Sequence, residues 1–229
     1  MGGMELGINI NDAYRYMGGV GEPDDVTKTE LLQASEDVLK AASPRVITRV
    51  LDIKDREGAV CFEGSALRLE GRSIAALLNE SESAVLFCAT IGNEIEALLR
   101  RWQLKDMVRA AMLDACASAA VEDLCEQVND SLAEKWRERG FWLTERFSPG
   151  YGDLPLSVQR DFCAELDTAR KLGVCVSGSG IMIPRKSVTA IIGISKRPQP
   201  CRRDGCENCE YRCGCKFRES GVTCYGQAL

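Results

Sequence analysis

Arg146-Phe147-Ser148-Pro149-Gly150-Tyr151-Gly152-Asp153-Leu154-Pro155 reads as a tight turn with an arginine at its head. Pro149 fixes its own φ and removes a donor, while Gly150 and Gly152 admit φ > 0. A guanidinium is a planar fork that matches a carboxylate or a phosphate. Arg146 is therefore a candidate clamp on a small molecule. The same pattern also suits a helix-connecting loop whose arginine pairs with a surface acid.

Working outward, residues 157–172 have the spacing of an amphipathic helix, with Val158, Phe162, Leu166 and Ala169 inward and Gly173 as its C-cap. Residues 180–183 and 188–194 read as strands. On the other side of the turn, residues 94–102 and 106–136 read as helices, the second unusually long. Its middle, Ala115-Cys116-Ala117-Ser118-Ala119-Ala120, is small on every side, which predicts a buried helix that neighbours approach closely. The uninterrupted apolar run Ala84-Val85-Leu86-Phe87-Cys88 predicts a buried central strand.

Further upstream, residues 25–42 read as a helix whose apolar face is Leu31, Leu32, Ala34, Val38 and Leu39, and residues 46–53 as a strand. Residues 59–62 and 66–69 flank Gly64-Ser65 as a hairpin, and residues 73–78 form a short helix. Residues 1–25 read as a Gly-rich loop. The elements interleave without regular βαβ alternation. The expected class is α+β, with a mixed or antiparallel twisted sheet and several helices, one of them long and buried. The expected organisation is one α+β body over residues 1–196 and a Cys-rich tail over residues 197–229.

On the long helix, Asp114, Ser118 and Glu122 fall at i, i+4 and i+8, roughly one face. A carboxylate on a buried helix needs a partner, and Arg146 or a ligand's amino group would serve.

The run from Arg146 through Ser195 resembles the S-adenosylmethionine-binding activation domain of cobalamin-dependent methionine synthase. In that family an R-x-x-P-G-Y turn cradles S-adenosylmethionine. A helix follows, then a strand bearing P-x-x-S-V-S/T, matched here by Pro184-Arg185-Lys186-Ser187-Val188-Thr189. Ala89-Thr90-Ile91-Gly92-Asn93-Glu94 and the stretch from Met112 to Glu122 resemble its middle portion. The similarity spans roughly residues 80–196 and is nearest the free-standing, single-domain versions in anaerobic bacteria.

The resemblance implies that Arg146 holds the carboxylate of S-adenosylmethionine and Glu122 its amine. It further implies that backbone groups of Ser148 and Gly150 hold the adenine edge or ribose, with Tyr151 as an aromatic wall. It also implies two features with no counterpart identified in this sequence. One is an N-terminal aspartate in an aromatic context. The other is a tyrosine after the last strand, where this chain has Lys196-Arg197-Pro198-Gln199-Pro200.

Composition narrows the class. Hydrophobic residues make up 45% and charged residues 28%, as in soluble globular chains. The net charge of −5 argues against a nucleic-acid reader, which carries a positive footprint. No apolar stretch approaches the roughly 20 residues that span a bilayer, and the N-terminus lacks the regions of a signal peptide. The expected compartment is cytoplasmic, with Cys61, Cys88, Cys116, Cys125, Cys163 and Cys175 reduced in the core. There is no histidine. Nucleophile systems based on histidine are excluded, and so is a histidine ligand to cobalt. Any cobalamin is expected on a partner, a methionine synthase or related corrinoid protein.

The tail carries Cys201, Cys206, Cys209, Cys213 and Cys215 as C-x4-C-x2-C-x3-C-x-C. Thiolates at such spacing bind zinc or an iron–sulfur cluster. Interleaved Arg202, Arg203, Arg212, Lys216 and Arg218 would favour the thiolate forms. An iron–sulfur centre would suit a chain that meets a low-potential electron donor, whereas zinc would make the tail structural. Two functions follow as expectations. The first is activation of a corrinoid methyltransferase by reductive remethylation from S-adenosylmethionine. The second is a metal-cluster electron-transfer or docking protein that no longer binds that ligand.

Overall fold

The computed structural model describes residues 5–198, 215–219 and 221. The order of elements begins with helices α1 (Ile10–Tyr16) and α2 (Asp25–Ala41), followed by strands β1 (Arg45–Asp55), β2 (Val60–Phe62) and β3 (Arg68–Leu69). Next come α3 (Arg72–Leu77), β4 (Ser83–Thr90), α4 (Glu94–Gln103), α5 (Met107–Arg137) and β5 (Trp142–Leu143). A 3-10 turn at Leu156–Val158 precedes α6 (Gln159–Leu166), α7 (Thr168–Leu172), β6 (Cys175–Val176), β7 (Met182–Ile183), β8 (Ser187–Ser195) and α8 (Lys216–Glu219).

Six strands form one sheet in the order β3-β2-β1-β4-β8-β5, and every pair in it is antiparallel. β6 and β7 form a separate hairpin. β4 is the central strand that its apolar run predicts, buried from Ala84 through Thr90. Its alternation feeds two cores. Val85, Phe87 and Ala89 face a layer made by α1, α2, α4 and α5. Ala84, Leu86 and Cys88 face a second layer that includes α3, α6 and α7. Both faces of the middle of the sheet are covered, which is why this strand carries no polar alternation.

The long helix α5 runs for 31 residues from its N-cap Asp106, whose carboxylate accepts from the N–H groups of Val108 and Arg109. Ala115, Cys116, Ala117, Ala119 and Ala120 are all buried. Their small volumes let α1, α2 and α4 pack against one helix at once.

Several expectations need correction. Residues 1–25 are not all loop, because α1 forms within them. Asn9 caps it by accepting from the N–H groups of Asn11 and Asp12. Its stability comes from packing, since seven residues are too few to hold a helix alone. The helix expected over 157–172 is broken at Asp167, which sits at φ 55° and separates α6 from α7. That left-handed residue turns the second half, so Thr168 and Leu172 are buried and Ala169 is exposed. On α2, Leu31, Ala34 and Val38 are buried, but Leu32 and Leu39 are exposed. Gly180 lies in the turn between β6 and β7 rather than in a strand. Cys175 is exposed on β6 and Cys61 is half-buried, so neither is core filling.

β8, the last strand among the described residues, ends at Ser195. Of the tail cysteines, Cys201, Cys206, Cys209 and Cys213 lie outside the described residues. Cys215 is half-buried just ahead of α8. Among the described residues no helix is long and apolar enough to cross a membrane, and no three or more His, Cys, Asp or Glu side chains are arranged to hold one metal ion.

Candidate functional site

Arg146 is aimed by a bulge. β5 pairs Trp142 with Ser195 and Leu143 with Ile194 on β8, and the Thr144 N–H then donates to the Gly193 carbonyl at 3.0 Å. Pairing resumes where Phe147 and Ile191 exchange hydrogen bonds of 3.0 and 2.9 Å. Glu145 and Arg146 thus oppose the single residue Ile192. An extra residue of this kind kinks a strand and redirects its side chains.

The redirected guanidinium meets α5. Its Nη2 lies 2.5 Å from Glu122 Oε1 and also contacts Glu126. Burial acts to lower the Arg146 pKa, but the charge of Glu122, followed by other nearby groups including Glu126, outweighs it, and the net shift is upward. One turn to two turns earlier on the same face, Lys186 Nζ lies 2.8 Å from Ser118 Oγ and 3.0 Å from Asp114. The row of Asp114, Ser118 and Glu122 is therefore a real face of α5. Two cations distant in sequence, Arg146 and Lys186, pair with it.

The turn itself is held by its own backbone. Gly150, at φ 90°, donates its N–H to the Leu154 carbonyl, and Tyr151 donates to the Ser148 carbonyl at 3.1 Å. The Gly150 group left for a ligand is accordingly its carbonyl. Gly152 takes φ 51°, and a Cβ there would crowd Ser73 Oγ at 3.1 Å, so the turn runs close against α3. Asp153 anchors it by accepting the N–H groups of Ser73 at 3.0 Å and Arg72 at 2.6 Å. Those bonds hold its carboxyl below the ordinary carboxylate range.

Beside Arg146 lies a cleft of about 220 Å³. α5 contributes Ala119, Glu122, Asp123 and Glu126 to it, and α1 contributes Asp12 and Tyr16 with the capping Asn9. The α1 side is strapped in place, because Asp123 accepts the Gly7 N–H at 2.8 Å and Gln127 donates to the Glu5 carbonyl at 2.7 Å. Ala13 is fully buried beneath α1.

Glu122 and Asp12 both line the cleft, Arg146 reaches its edge through the pair with Glu122, and Ser148, Gly150 and Tyr151 lie farther along the turn. Tyr151 is nevertheless close enough to Tyr16 for its charge to act on that phenol. Asp12 precedes Tyr14 and Tyr16 on α1 and lines the cleft with Tyr16, an aspartate in an aromatic setting near the N-terminus. Sequence reasoning missed it. The available signal was Asn9 as an N-cap before Ile10, with Asp12 in the first turn.

Four carboxylates (Asp12, Glu122, Asp123, Glu126) face two guanidiniums (Arg146 and Arg15, which pairs with Asp12). The local charge is −2, suited to a cationic ligand that also carries one anionic group.

No family model matches this chain, and no curated protein sequence does. Solved structures do match. One is the crystal structure of the MetH reactivation domain bound to AdoHcy, with a TM-score of 0.62 at 15% identity over 96% of this chain and 88% of that one. The chain has the fold of the MetH reactivation domain. Its curled antiparallel sheet and long central helix are those of that fold, as the resemblance implies.

Proposed function

We propose that this protein is an activation component for a cobalamin-dependent methionine synthase or related corrinoid methyltransferase, and that its cleft binds S-adenosylmethionine. The observation that carries the proposal is the meeting of Arg146 with Glu122 and Glu126 beside Asp12, in a chain of this fold. S-adenosylmethionine carries an ammonium, a sulfonium and a carboxylate, hence a net charge of +1 against the local −2.

In this reading Glu122 takes the ammonium. Both ion pairs of Arg146 use Nη2, so the Nη1 group is not committed to the glutamates and can donate to a carboxylate. The two glutamates hold the guanidinium in position before the ligand arrives, which lowers the ordering cost of binding. When bound, the ligand supplies an electrophilic methyl group for reduced cobalamin, and the chemistry needs no general base from this chain. The residues here bind, orient and match charge. Cobalamin belongs to a partner in this reading, since the chain has no histidine to offer cobalt, and the protein acts in trans.

The reading is tested with a cobalamin-loaded methionine synthase domain in its oxidised cob(II) state, a one-electron reductant and S-adenosylmethionine. Adding this protein is expected to speed the spectral return to the methylated form. An unchanged rate contradicts the proposal.

A further inference from the structure

We infer that Tyr16 is a specificity-determining residue of the cleft, its ring supplying the aromatic face that recognises the sulfonium of the methyl donor. The inference rests on the methyl-donor reading above and assigns a part of the cleft that reading leaves open. Carboxylates account for attraction of a cation in general. They do not distinguish a sulfonium, which offers no hydrogen to an acceptor, from an ammonium, which does. An aromatic face attracts any cation, including one with no N–H to donate.

Tyr16 is the last residue of α1 and lines the cleft together with Glu122 and Glu126. It is 54% exposed, so a ring surface remains open to a ligand. Tyr14 is not equivalent. Its ring is spent against Gly19, where a Cβ would lie 2.4 Å away. The Tyr16 phenol also stays neutral at any physiological pH. Burial first, then the charges of Glu122 and Asp12, push its pKa up to about 12.

The ring therefore discriminates substrate from product. When the methyl group leaves, the C–S bond breaks and its electron pair stays on sulfur. The new bond to the methyl carbon uses a pair from the partner's nucleophile. The sulfonium becomes an uncharged thioether, and its attraction to the ring is lost. Tyr16 thus favours S-adenosylmethionine over S-adenosylhomocysteine and eases product release.

The test is calorimetric titration of the wild type, Tyr16→Phe and Tyr16→Leu with S-adenosylmethionine and with S-adenosylhomocysteine, each variant checked by circular dichroism and melting. At a half-exposed site, loss of the ring is expected to cut the preference for the sulfonium roughly two- to five-fold in Tyr16→Leu. Tyr16→Phe keeps the ring and is expected to keep the preference. If the leucine variant melts early, Tyr16→Met replaces it, since a flexible side chain fills the gap without an aromatic face. Equal weakening of both ligands, or an unchanged preference in the ringless variants, overturns the role of Tyr16 and leaves the methyl-donor reading intact. A wild type that binds neither ligand overturns both.

Discussion

Arg146 and Glu122 are 24 residues apart in the chain, yet Nη2 of one lies 2.5 Å from Oε1 of the other. The contact ties the Pro/Gly turn to the long helix, whose Glu122 lines the cleft. Its two partners are unequal in exposure. The Arg146 side chain is 19% exposed, while the glutamates are about half open.

That geometry separates stability from function. Partly exposed pairs of this kind are worth about 1 kcal/mol or less to folding, so Arg146→Ala is expected to melt only slightly below wild type. Its effect on S-adenosylmethionine is expected to be much larger. Loss of a charge-assisted fork costs on the order of 1.5–3 kcal/mol, about 10- to 100-fold in Kd. Arg146→Lys restores charge but not the fork, so it is expected to recover part of the affinity. Calorimetry on the three proteins, paired with thermal melts, checks both halves.

Asp153 gives a pH dependence with a defined sign. The N–H groups of Ser73 and Arg72 hold its folded pKa below the ordinary 3.8. A group shifted down stabilises the fold above its unfolded pKa and loses that contribution as pH falls through the folded value. Wild type is therefore expected to be more stable than Asp153→Asn at pH 6, with the gap narrowing below about 3.8. Urea midpoints measured from pH 6 to pH 2 report it. A gap that is constant across that range contradicts the assignment.

Much of this arrangement is legible in the sequence. The turn announces itself through Pro149, Gly150 and Gly152, and the face of α5 through the i+4 spacing of Asp114, Ser118 and Glu122. Of the two sequence readings of Arg146, the pairing with acids is the one observed, and those acids line the cleft. What stays hidden depends on distant contacts. The bulge at Glu145 and Arg146 exists only once β8 pairs alongside, so nothing local reveals where the guanidinium points. α1 is two turns long, too short for a period to emerge, and it holds through Ala13 and the straps to Asp123 and Gln127. Asp167 interrupts a pattern that reads as continuous, because aspartate tolerates the left-handed region without a glycine to mark it.

Thiol reactivity follows burial. Burial pushes Cys116 up to about 11 and Cys125 up to about 12, and it raises Cys88 and Cys163 as well. Cys175 is exposed. Among these five, Cys175 is expected to alkylate first in native protein at pH 8, and the four buried thiols only on unfolding. Peptide mass spectrometry after timed iodoacetamide treatment resolves the order. Early labelling of Cys88 contradicts the packing of β4.

The tail spacing carries its own expectation. Cys206, Cys209, Cys213 and one of Cys201 or Cys215 are proposed to bind metal together. Anaerobically purified protein is expected to hold about one zinc, or to show thiolate-to-iron charge-transfer absorbance. Metal-free protein with every tail thiol open to alkylation contradicts this.

The central claim is that the cleft between α1 and α5 binds S-adenosylmethionine through Arg146 and Glu122. Calorimetric titration of the purified wild-type protein tests it most directly, with Arg146→Ala run alongside. The account predicts saturable binding with one ligand per chain, at least ten-fold weaker in the variant. Absence of detectable heat and of competition at millimolar S-adenosylmethionine, in wild-type protein shown to be folded, contradicts it.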